Sequence, residues 1–175
     1  MKKTFLAVMM AGSLMATVGA AHAADGTVKF VGNIIDQACT VDTSSANQTV
    51  QLGDVAASSF GNAAGVKSSA QKFDIKLTAC PEGTVAVGFA GTADSADTTL
   101  LKLDAGQTAT GVGVRINNND GTQVVMNDTA SPSRVTVPAG GGDVTLSYVG
   151  QYQSTSATVT AGTANATSQF TVLYN

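Results

Sequence analysis

The chain has 175 residues, with nine Lys or Arg against twelve Asp or Glu, a formal net charge of −3, and 43% hydrophobic residues. That charge balance argues against nucleic acid or an anionic membrane face as a partner, since either selects a basic patch. The hydrophobic fraction is that of a folded protein and argues against global disorder.

In chain order, Lys2 and Lys3 precede an apolar run over residues 5–19, and Ala21-His22-Ala23 supplies small residues suited to cleavage, so residues 1–23 are predicted to be a signal peptide. No other stretch is long enough to span a bilayer, and residues 24–175 are expected to form one soluble, exported domain with no membrane insertion. Without Lys2 and Lys3 the balance becomes seven cationic residues against twelve acidic ones, near −5. Next comes "GTVKFVGNII", residues 26–35, in which Val28, Phe30, Gly32 and Ile34 share one side of an extended chain. This is the period of a half-buried strand, yet no turn signal follows it to fold a partner back. Cys39 and Cys80, the only cysteines, are most simply a disulfide in an exported chain.

The stretch "AASSFGNAA", residues 56–64, is predicted to form one helical turn at most. Beyond it, apolar residues alternate with polar or small ones at Phe73, Ile75, Leu77 and Ala79, and again at Val85, Val87 and Phe89. The same period recurs at Val112, Val114 and Ile116, then at Val144, Leu146, Tyr148, Gly150 and Tyr152, and finally at Phe170, Val172 and Tyr174. Turn chemistry separates the runs at Asp120-Gly121, Ser131-Pro132 and Gly140-Gly141-Gly142. Many short strands around one core predict an all-β antiparallel sandwich.

The inventory for catalysis is nearly empty. The sole histidine, His22, falls in the predicted signal peptide, which leaves no imidazole for a base or a metal site. Ser68 and Ser69 near Lys67 and Lys72 read as a solvated loop, and so do Asp94 and Asp97. "GVGV" at residues 111–114 runs into strand-type sequence, so the geometry that cradles a phosphate is not expected. "NNNDG" at residues 117–121 lacks the spacing of a calcium loop and reads as a hairpin turn. No catalytic residue, cofactor or metal site is predicted. A structural subunit and a secreted binding module remain as the leading classes, with a hydrolase a distant third.

The final segment, "GTANATSQFTVLYN", places Gly162 fourteenth from the end and Tyr174 next to last. Together with "GTVKFVGNIIDQACTVD", "NQTVQLGDV", "FDIKLTAC" and "GVGVRI", it resembles the subunits of chaperone-usher pili, most closely the major subunit of type 1 fimbriae. The resemblance implies an incomplete immunoglobulin-like sandwich, with a pilin domain over residues 37–175 and a donor-strand extension over residues 24–36. It implies partnership with identical or related pilin subunits, a periplasmic chaperone and an outer-membrane usher, and a place in a fimbrium on the bacterial surface that supports adhesion. Gly26, Val28, Phe30, Gly32 and Ile34 would form the donor strand, with Gly32 where no side chain fits. Phe170 and Val172, with partners near Val41, would line the acceptor groove; Gly162 and Tyr174 would belong to the C-terminal assembly motif, Tyr174 and the C-terminal carboxylate helping the chaperone to dock. A rod subunit is the expected role, with a minor adaptor or terminator pilin as the alternative within the family and a secreted β-sandwich binding module outside it.

Overall fold

The computed structural model describes residues 26–32, 34 and 37–174. The predicted signal peptide and the C-terminal carboxylate lie outside the described residues. The chain divides between Ile34 and Ile35 into two units.

The larger unit is built from strands β1 (Thr40–Val41), β2 (Gln71–Cys80), β3 (Gly83–Ala90), β4 (Val112–Asn118), β5 (Gln123–Val124), β6 (Val135–Val137), β7 (Gly142–Ser154) and β8 (Gln169–Tyr174). One sheet has the order β1-β2-β7-β4-β5 and the other β6-β3-β8, with antiparallel pairing between neighbouring strands. The predicted all-β sandwich is the observed fold, and each of the five long alternating runs is a strand. Ile75 and Leu77 are fully buried while Asp74 and Lys76, on either side of Ile75, are exposed, as the period of two requires. Phe73 of β2, Tyr148 of β7 and Phe89 of β3 form an aromatic cluster that bridges the sheets. Phe89 meets Tyr148 edge-on with ring centroids 5.0 Å apart and Phe73 edge-on at 6.1 Å, an arrangement that adds to the stabilisation from burial alone.

Helix is confined to α1 (Thr43–Ala46) and a 3₁₀ turn at Ala57–Phe60, among the described residues. The second fulfils the expectation of one turn over residues 56–64 and buries Phe60. The first is capped by Asp42, whose carboxylate accepts from the Ser44 backbone N–H and hydroxyl. The Asp120-Gly121 turn joins β4 to β5 as expected. Gly121 adopts φ +86° and Asp120 accepts from both the N–H and the hydroxyl of Thr122.

Two local expectations are corrected. Strict alternation places Ala79 inside, but the register skips between Leu77 and Cys80, leaving Ala79 exposed and Cys80 buried. This is a bulge: the extra residue takes φ 50°, its N–H is satisfied by Asp143 Oδ1 at 3.1 Å, and the parity beyond it reverses. Asp97 is not a solvated loop charge. Its carboxylate accepts from Thr99 and from Gln153 Nε2, and Gln153 Oε1 in turn accepts from Arg115 Nη1 at 3.1 Å. The loop that carries Asp97 lies on the far side of β4, where Leu101 exchanges backbone hydrogen bonds with Val114 at 2.8 and 2.9 Å. The same loop packs Leu100 over Gly113 of β4 and sets the Asp97 carboxylate on Gln153, so β4 and the end of β7 are buried on both faces, with Gln151 and Gln153 buried out of phase with the apolar pattern. Burial lowers the pKa of Arg115, and the Asp97 charge opposes that shift.

The stretch left to place is "GTVKFVGNII". Its described residues, 26–32 and 34, carry no strand. Val28 is 77% exposed, Phe30 92% and Ile34 103%; Val31, of the opposite parity, is 84% exposed. Extended backbone becomes a strand only when another strand supplies a hydrogen-bonded ladder, and the described residues of this segment have none.

Candidate functional site

A cleft of about 1020 Å³ opens in the larger unit. Its lining includes Val50 and Leu52 from the stretch after β1, Ile75, Ile116 and Tyr152 from the five-stranded sheet, and Phe170 at the start of β8. The cleft thus reaches side chains of the core itself. β8 ladders only with β3 and is an edge strand of its sheet, and β1 is an edge strand of the other. An edge strand beside exposed core apolar groups leaves both backbone hydrogen-bonding groups and hydrophobic surface open to a further strand. Among the described residues no three His, Cys, Asp or Glu side chains gather as metal ligands. Ser68 is held structurally, its hydroxyl accepting from Tyr152 N and donating to Ser69 O.

Gly150, in the floor strand β7, lets the Val50–Leu52 stretch approach: a Cβ there would sit 3.3 Å from Leu52 Cδ2. Gly162 packs against the backbone of residues 108–109, where a Cβ would lie 2.5 Å from Ala109 N, closer than real Cβ atoms come. Around it, residues 104–111 and 158–167 are laced by threonines. Thr110 N donates to Thr160 Oγ1 at 3.0 Å and Thr163 N to Thr108 Oγ1 at 2.9 Å. Phe170 lies on the cleft lining, whereas Val172 and Val41 pack against the core.

Cys39 and Cys80 are bonded, tying the residue before β1 to the end of β2. The backbone N–H of Cys39 also donates to the Tyr174 hydroxyl at 2.8 Å, so the last residue of β8 is joined to the root of β1. Tyr152 donates to Ala164 O at 2.9 Å, and Tyr148 reaches toward Val87 O. Each of the three tyrosines therefore spans from one part of the sandwich to another. No sequence period signals these pairings, because they join residues of unrelated strands. At Gly26 and Gly32 a Cβ would stand in open space, with no heavy atom within 4 Å.

The family model described as "Fimbrial protein" matches residues 28–175. The chain belongs to the fimbrial protein family. It is 39% identical to the "Probable major fimbrial subunit LpfA" of Escherichia coli O157:H7, over 99% of this chain and 97% of that one. It is 37% identical to the "Type-1 fimbrial protein, A chain" of Escherichia coli K12, over 99% and 98%. A solved Burkholderia pseudomallei antigen and type I fimbria protein is 33% identical with a TM-score of 0.57, covering 80% of this chain and 91% of that one. The P pilus rod subunit PapA shares the fold at a TM-score of 0.66 and 23% identity, covering 79% of this chain and all of PapA. Membership makes this chain a fimbrial structural subunit and not an enzyme. No helix among the described residues is long and apolar enough to cross a membrane.

Proposed function

We propose that this fimbrial subunit is exported through the periplasm, held there by a chaperone, and polymerised at an outer-membrane usher into a surface fimbrium that supports adhesion. Residues 24–36 would leave their own subunit and enter the cleft of a neighbour as an added strand, placing Val28, Phe30 and Ile34 against its apolar lining. The observation that carries this reading is the pairing of two deficits in one chain: a cleft open to the core beside edge strand β8, and an apolar row at residues 28, 30 and 34 that carries no ladder. Burying three such side chains would contribute roughly 1.5–3 kcal/mol each. The similarity to a protein described as a probable major subunit favours a rod role.

Expression with and without the cognate chaperone tests the reading. The full chain should aggregate or be degraded alone and accumulate as a soluble complex with the chaperone. A chain lacking residues 24–35 that stays soluble alone and melts cooperatively would overturn it.

A further inference from the structure

We infer that Tyr174 and Cys39 form a load-sharing clamp at the point where tension on a fimbrium enters each subunit. The inference rests on the donor-strand reading above. In a polymer of that kind, tension reaches the sandwich through the chain leading to Cys39, because the residues before it are held by a neighbour. At Cys39 it meets two attachments. The disulfide to Cys80 passes load past the two-residue strand β1 into β2 and the five-stranded sheet. The 2.8 Å hydrogen bond from Cys39 N to the Tyr174 hydroxyl passes load into β8 and the three-stranded sheet.

β8 is also the edge strand whose first part, at Phe170, lines the cleft that would hold the next subunit's extension. The two ends of the load path thus both act on β8, the seated neighbour at Phe170 and the subunit's own extension through Tyr174. Without the hydroxyl, tension would enter only the five-stranded sheet and would draw it away from β8, opening the cleft. Tyr174 is half-buried and packs against the core, so its ring holds position independently of the hydroxyl. The hydroxyl is therefore separable from the packing.

The test compares fimbriae of the wild-type chain and of Tyr174→Phe, pulled at constant force. In the fibres that the variant forms, subunit junctions should have a lifetime under tension about fivefold shorter, as expected for loss of one net hydrogen bond. Equal lifetimes would overturn the clamp. Amide exchange at Cys39 in the chaperone-bound subunit gives a second reading that needs no fibre. Exchange should be faster in Tyr174→Phe, and equal exchange would likewise overturn the inference. If the wild-type chain forms no fibres with its chaperone and usher, the donor-strand reading itself fails, a result distinct from fibres whose strength ignores the hydroxyl.

Discussion

Gly162 lies against the backbone of Ala109 so closely that no side chain can stand between them, since a Cβ would fall 2.5 Å from the Ala109 nitrogen. The glycine is a spacing requirement, and it sets how residues 158–167 run alongside residues 104–111 before the chain enters β8. Gly162→Val should therefore force the two stretches apart and destabilise the subunit by about 2 kcal/mol or more. A denaturant melt of the chaperone-bound subunit would check this, and an unchanged midpoint would show that the lacing can relax.

The Cys39–Cys80 bond closes a loop with a sequence separation of 41. Loop-closure entropy for that length corresponds to about 4 kcal/mol of stabilisation. In a domain whose short strand β1 makes only two register pairs with β2, this is a large share of the total. Cys39→Ser is expected to lower subunit yield in the periplasm several-fold, measured by immunoblot against the wild type; normal levels would show the bond to be dispensable.

Gly32 has open space around it, so a side chain there costs the subunit's own fold nothing. Gly32→Phe should leave the chaperone complex at wild-type abundance while abolishing fibres in electron micrographs, because the bulk would be met only inside a neighbour's cleft. Fibres of normal number would count against insertion of this segment.

Stability should depend on pH at both ends of the scale. Asp42, Asp120 and Asp128 all have carboxyls held below their ordinary value, chiefly by hydrogen bonds: from Ser44 to Asp42, Thr122 to Asp120, and Ala130 and Ser131 to Asp128. A lowered folded-state pKa stabilises the fold above the unfolded value, and that contribution fades as pH falls below about 4. Tyr148 shows the opposite sign: burial pushes its phenol from 10.0 up to about 12. Its contribution is complete below pH 10 and is lost as pH rises through about 12. Tyr148→Phe should flatten most of the alkaline loss in a series of thermal melts. Burial raises Tyr152 as well, so a residual slope is expected.

Much of this fold is legible in the sequence because sandwich strands write a period of two in their large apolar side chains, and β2, β3, β4, β7 and β8 all do so. β5 and β6 are two and three residues long, too short to show a period, and α1 is a single turn whose only signal is the cap at Asp42. The bulge at Ala79 hides because its cause, Asp143, lies 64 positions away. Burial of Gln151 and Gln153 depends on a loop folding over an outer face, which alternation cannot register. At the site, the apolar row of residues 28–34 and the cysteine pair are plain in the sequence. The cleft and the Tyr174–Cys39 contact are properties of the assembled sandwich.

Lys29 stands between Val28 and Phe30 in the exposed segment. Trypsin cleaves after lysine only where several flanking residues can enter its active site in extended form, which an open segment offers and a laddered strand denies. On the donor-strand reading, the same residue that interrupts the apolar row would make brief proteolysis a clock for polymer growth: the fraction of chains cut after Lys29 would measure how many subunits had yet to be taken up by a neighbour.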